Sequence, residues 1–229
     1  MSTMTRTRTL RLLVTRRNAD TRQYETVGEL ARDDQGYTFT YCQGSTRALP
    51  GMPDRTHVYR STDLFPLFRH RVISPRRDDH DDYLDGLDLP ASATPFEVLT
   101  RSGGRSAVDT LEITPVPEPG PVDLCFLVHG IRHLSQAEHR RIDALKAGQS
   151  LHLVAEPSNP ADSHALLVTD DGGRLGYVPR PLLRYVHAIA DQPYTLTVAR
   201  VNPAEVGFHM RLLVRLEGTL LRTDCAVGA

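Results

Sequence analysis

Two prolines, Pro157 and Pro160, cut one long apolar stretch into two strands and a turn. Each removes a ladder donor and pushes the residue before it towards extended geometry. The run Glu156-Pro157-Ser158-Asn159-Pro160 therefore lies outside any sheet. LHLVA before it and ALLV after it alternate as strands, as do CFLVHGIRH upstream and RLGYVPR downstream. Residues 125–180 are thereby held to a β-rich module. Asn159, Asp162, Ser163 and His164 gather on one proline-braced loop, where polar groups are fixed without help from a core.

A second proline cluster sets the domain plan. Pro115, Pro117, Pro119 and Pro121 with Gly120 cannot continue a helix or an inner strand, so residues 115–121 are expected to be a linker. That gives an N-terminal α+β domain over 1–114, a C-terminal domain over 122–222 and a tail over 223–229. A chain of 229 residues with 40% hydrophobic content supports cores of this size. No internal repeat stands on either side.

In the N-terminal part, LRLLVT, VGELARDD and YTFTYC read as three strands, the last two forming a hairpin through Asp33-Asp34-Gln35-Gly36. Helices are expected up to Phe68 after a Ser61 or Thr62 cap, over Asp78–Leu87, and from a Thr94 cap with Pro95 at its first turn to a stop at Gly103-Gly104. In the C-terminal part, a turn at Asp170-Asp171-Gly172-Gly173 joins two strands. Helices are expected over Ser135–Lys146 and Pro181–Ala190, and YTLTVARV and HMRLLVRLEG close the module.

Charge and composition remove several function classes. Twenty-seven basic residues face 28 acidic ones, so nucleic acid is not gripped by bulk electrostatics and any such contact is local. Lys146 is the only lysine, and its surroundings fit neither Schiff-base chemistry, a Walker-type phosphate loop nor a lysine-dependent nuclease motif. Cys42, Cys125 and Cys225 share no spacing that suggests a disulfide framework or a zinc site. No apolar run approaches the roughly 18 to 20 residues of a membrane span, and MSTMTRTRTL lacks the apolar block of a signal peptide. A cytoplasmic protein without a cofactor is the expectation.

GIRH, EPSNPADSHALLV and GYVPR, in this order and spacing, make residues 123–218 resemble a HIRAN domain. The resemblance implies a small barrel related to the OB fold, carrying two helices, that binds single-stranded DNA and captures a free 3′-hydroxyl end. It implies that Arg132 meets a phosphate and that Asn159 and Asp162 grip the terminal nucleotide. A carboxylate that accepts from a sugar hydroxyl distinguishes an end from a continuing strand, since only the end offers that donor. His133 and Ala161 stand where the family places aromatics, so base stacking worth roughly 1 to 3 kcal/mol per aromatic is weakened. Tyr177 is expected to replace part of it.

Residues 8–112 are similar to the small N-terminal domain of HipA-type proteins, through VGELARDDQGYTFTYCQG, Leu64-Phe65-Pro66-Leu67-Phe68, Pro95-Phe96-Glu97-Val98-Leu99 and Gly103-Gly104. The kinase body has no counterpart, so this resemblance implies a docking module and no kinase activity.

Each candidate has a plainer reading beside the functional one. Asp78-Asp79-His80-Asp81-Asp82 offers metal ligands, yet adjacent helical residues diverge, so an acidic, solvated helix start is the reading taken and no metal is expected. Arg101-Ser102-Gly103-Gly104-Arg105-Ser106 is either a phosphate cradle or a helix stop. Asp162 can close an Asx turn, His164 can stabilise that turn, and Arg132 can sit on a solvated face. The composite expectation is DNA capture by the C-terminal domain. Arg132, Arg180 and Arg184 meet phosphates, His133 and Tyr177 flank bases, and Asn159, Asp162 and His164 surround the end. Such a protein would act in DNA repair or replication-fork processing, with a helicase or other protein met through the N-terminal domain. Two alternatives stay open: a metal-dependent nuclease or phosphoesterase, and a protein-interaction module that binds no DNA.

Overall fold

The computed structural model describes residues 10–18, 21 and 23–221. Cys225 and the expected tail lie outside them. Two compact units result. The first holds the described residues up to Ile73 together with Thr94–Val116, and the second holds Ser74–Ala93 with the described residues from Pro117 onward. Both are α+β with antiparallel sheets.

The first unit is built on β1 (Leu10–Arg17), β2 (Tyr24–Asp33), β3 (Gly36–Tyr41), β4 (Tyr59–Ser61) and β5 (Leu111–Pro115), in the order β4-β3-β2-β1-β5. The β2–β3 hairpin closes where the turn signal stands, pairing Asp33 with Gly36. Two helices of this unit, α1 (Pro66–Arg69) and the one over Pro95–Ser102, supply Phe68, Phe96 and Leu99 to a core with Leu12, Val14, Leu30, Phe39 and Ile113. Each buried side chain of this size contributes about 1.5 to 3 kcal/mol. The short helix starts at Pro66 with no side-chain cap: its N-cap is Phe65, whereas Ser61 and Thr62, the expected caps, lie further upstream, Ser61 as the last residue of β4. Between these helices in sequence lies α2 (His80–Gly86), so Pro95–Ser102 is α3. Thr94 and Glu97 form a capping box at its start, and Gly103 ends it in a left-handed conformation.

The segment Ser74–Ala93, inside the range expected for the N-terminal domain, belongs to the second unit. Its anchors are specific. Buried Asn202 donates to the Gly86 carbonyl at 2.8 Å, and Arg200 pairs with Asp85.

The rest of the second unit comprises β6 (Gly120–Leu127), α4 (Gln136–Ala144), β7 (His152–Ala155), β8 (Leu166–Asp170), β9 (Gly173–Tyr177), α5 (Leu183–Ala190), β10 (Thr195–Val201) and β11 (Leu212–Leu220). These strands make two three-stranded sheets, β10-β11-β6 and β7-β8-β9. Single bridges join them at both edges, His129 to Tyr177 and Ser150 to Thr197. The circuit β6-β11-β10-β7-β8-β9 is thus an OB-like barrel order, joined at two places by isolated bridges in place of ladders. Leu183, Val186 and Ile189 on α5 are buried, as their stripe predicts, and Ser135 with Glu138 forms a capping box that fixes the start of α4.

The proline-rich segment is shorter as a connection than its composition suggests. Pro115 ends β5 opposite Leu12, and Pro121 sits in β6 opposite Thr219, leaving only residues 116–119 between strands. Both strands lie at sheet edges, where a proline costs no ladder hydrogen bond.

Candidate nucleic-acid interface

Two turns meet at Tyr177. The first follows β6, where His129 and Tyr177 exchange backbone hydrogen bonds, each 2.8 Å long. This close approach requires glycine at 176. Its φ is +127°, and a Cβ there would stand 2.5 Å from the His129 carbonyl oxygen. Gly130, at φ +80°, then turns the chain into the one-turn 3-10 helix Ile131–His133, and a Cβ on it would meet the Tyr177 ring at 3.1 Å. Ile131 is buried beneath this turn while Arg132 and His133 are exposed. Arg132 Nε donates to His133 Nε2 at 3.1 Å, so the two candidate contacts lie side by side.

The second turn is the proline-braced loop, and its polar side chains are organised by its own backbone. Asn159 Oδ1 accepts from the amides of Ala161 at 2.9 Å and Asp162 at 3.3 Å, while Asp162 Oδ1 accepts from the His164 amide at 3.0 Å. The Asx-turn reading of these residues is therefore realised. Each also keeps a second function group. Asn159 Nδ2 donates to Glu156 Oε2 at 2.9 Å and reaches the Tyr177 hydroxyl at 3.4 Å, and Tyr177 in turn donates to Glu156 Oε2 at 2.9 Å. Asp162 Oδ2 pairs with Arg180 Nε at 2.8 Å.

Electrostatics follow from these bonds. The Asn159 amide, joined by the Tyr177 hydroxyl and the Arg174 charge, holds the Glu156 carboxyl below its ordinary value. Burial, then the hydrogen bond to Glu156, pushes the Tyr177 phenol up. Glu156 is thus an anion and Tyr177 a neutral donor around neutral pH.

The remaining candidates are placed unevenly. Arg180, expected on a phosphate, is committed to Asp162. Arg184 lies over the Tyr185 ring, 4.4 Å from its centroid. The His164 side chain is exposed, its ring 6.4 Å from that of His187, and its carbonyl accepts from His187 Nε2 at 2.9 Å. Arg174 was not foreseen. It sits over the Tyr177 ring at 5.8 Å, contacts the Tyr177 hydroxyl and comes within 3.9 Å of Glu156. A register shift between Val168 and Thr169 of β8, opposite this part of β9, sets its direction, and strand alternation alone carries no signal for it.

Elsewhere the plainer readings have concrete form. Asp79 receives two hydrogen bonds from Arg77, both 2.7 Å, and Asp81 lies 3.1 Å from the His80 ring. Gly104 offers its carbonyl to buried Arg71 at 2.9 Å, tying the glycine turn into the first unit.

Residues 123–220 match the family model of the HIRAN domain, so the second unit carries a HIRAN domain. Two solved structures are similar to part of the chain. One is a protein from Lactobacillus plantarum, 20% identical, with a TM-score of 0.33, covering 43% of this chain and 97% of that one. Another is the HIRAN domain of human HLTF, 22% identical, with a TM-score of 0.32, covering 44% of this chain and 81% of that one. No curated protein matches. The likeness of residues 8–112 to HipA-type proteins has no counterpart among these matches. No helix among the described residues is long and apolar enough to cross a membrane.

Proposed function

We propose that the C-terminal unit binds single-stranded DNA and takes up its free 3′-hydroxyl end. One observation carries this reading: Tyr177 joins the Arg132 turn, through its backbone bridge to His129, to the Asn159–Asp162 turn, through its hydroxyl. An exposed guanidinium and an organised polar turn are the two parts that end capture needs, one for a phosphate and one for a terminal sugar. Arg180 does not block it. The pair with Asp162 is partly exposed, 39% on the arginine side and 16% on the aspartate side, and a phosphate that replaces the carboxylate as the partner of Arg180 offsets its opening. A phosphate can take the guanidinium while the sugar hydroxyl takes the carboxylate.

In this reading the N-terminal unit serves as the contact for a protein such as a helicase, and the pathway is repair or fork processing. Fluorescence anisotropy of the full chain with single strands ending in 3′-hydroxyl or 3′-phosphate is the test. Preference for the hydroxyl, reduced in Asp162→Ala, is the expected result, with a shallow salt slope because few cations are engaged. A second reading, a protein-interaction module, draws on the same ion pair, which already satisfies Asp162 without a ligand. No binding of either strand would establish it over the first.

A further inference from the structure

Two carboxylates border the proposed end site, and their surroundings differ. Asp162 has both oxygens engaged, one by the His164 amide and the other by Arg180 at 2.8 Å, and its side chain is 16% exposed. A terminal phosphate arriving there meets that carboxylate together with the Arg180 guanidinium beside it. Glu156 is less compensated. Its Oε2 accepts from two neutral donors, Asn159 and Tyr177, and its nearest cation, Arg174, stands 3.9 Å from Oε1 while engaging the Tyr177 hydroxyl. Its side chain is 26% exposed. A carboxylate bonded by neutral donors keeps its full negative charge, and that charge acts on any anion within a Debye length of about 8 to 10 Å.

We propose that Glu156 is the specificity-determining charge of this site, positioning Asn159 and Tyr177 through one oxygen and rejecting a 3′-phosphorylated end by repulsion. The inference rests on the reading that a 3′ end docks here. Asp162 then serves as the acceptor for the hydroxyl, and Glu156 supplies the penalty against the phosphate, which carries about −1.5 to −2 charge at neutral pH. Arg174 tempers that penalty.

The test uses the full chain and 5′-labelled ten-nucleotide oligothymidylates ending in 3′-hydroxyl or 3′-phosphate. Glu156→Gln keeps the shape and an acceptor for Asn159 and Tyr177 while removing the charge. The expected result is a hydroxyl-to-phosphate affinity ratio reduced about five- to tenfold, the scale of one partly screened like-charge contact, with the melting temperature reporting that the chain stays folded. An unchanged ratio overturns the proposal. Arg174→Gln, which strips the tempering cation, moves the ratio the other way, and a fall there also overturns it. Failure of the underlying reading is seen separately: the unsubstituted protein then binds neither strand, or binds both alike.

Discussion

Each unit contains a tyrosine that donates to a glutamate across strands, and the two pairs are nearly equal in length. In the first unit Tyr24 meets Glu112 at 3.0 Å, and in the second Tyr177 meets Glu156 at 2.9 Å. Their settings separate them. Glu112 is 7% exposed, its own backbone carbonyl accepts from buried Thr15, and burial followed by the Glu112 charge drives the Tyr24 phenol far up. Everything about that pair is satisfied internally, as a clamp between strands should be. The second pair stands at the edge of a turn, shares its carboxylate with an amide, and has the partly exposed Arg174 as its neighbour. One hydrogen bond thus holds a sheet together in the first unit and organises a surface in the second, and burial decides which.

This contrast is breakable by substitution. The largest effect is expected for Gly176→Val, which forces a side chain into the His129 carbonyl at a positive φ and opens the junction beneath the second pair. We expect roughly 3 kcal/mol or more of lost stability in urea unfolding, together with loss of DNA binding. Glu112→Ala comes next. It removes the acceptor of a mostly buried hydroxyl and is expected to cost roughly 1 to 3 kcal/mol while leaving anisotropy titrations with single strands unchanged. Altered DNA affinity at unchanged stability would erase the distinction between the two pairs. Tyr177→Phe is expected to be the mildest for folding, about 1 kcal/mol or less, because its partners remain solvated. Its visible effect falls on binding to the 3′-hydroxyl strand.

Much of this architecture is legible in the sequence where a local rule acts alone. The Asp33–Gly36 hairpin, the capping residues Thr94 and Ser135, and the α5 stripe each follow from a few neighbouring residues. Strands β4 and β5 escape detection because one has three residues and the other ends on a proline that reads as a breaker. The docking of Gly86 on Asn202 joins residues 116 positions apart, and no local pattern announces it. The candidate site divides along the same line. The Asn159–Asp162 turn is a local object, visible in its Asn-Pro-x-Asp spacing. The pairing of Arg180 with Asp162 and the arrival of Arg174 at Tyr177 depend on the register of β8 with β9, which only the folded chain sets.

The two sheets of the second unit touch at isolated bridges, and one of these lies beneath the proposed site. Such a seam is a natural place for local opening, since few cooperative bonds guard its amides. A ligand that spans both turns would act as a rivet across it. The backbone protons of His129 and Tyr177, each already paired with the other's carbonyl, would then report occupancy by slowed exchange.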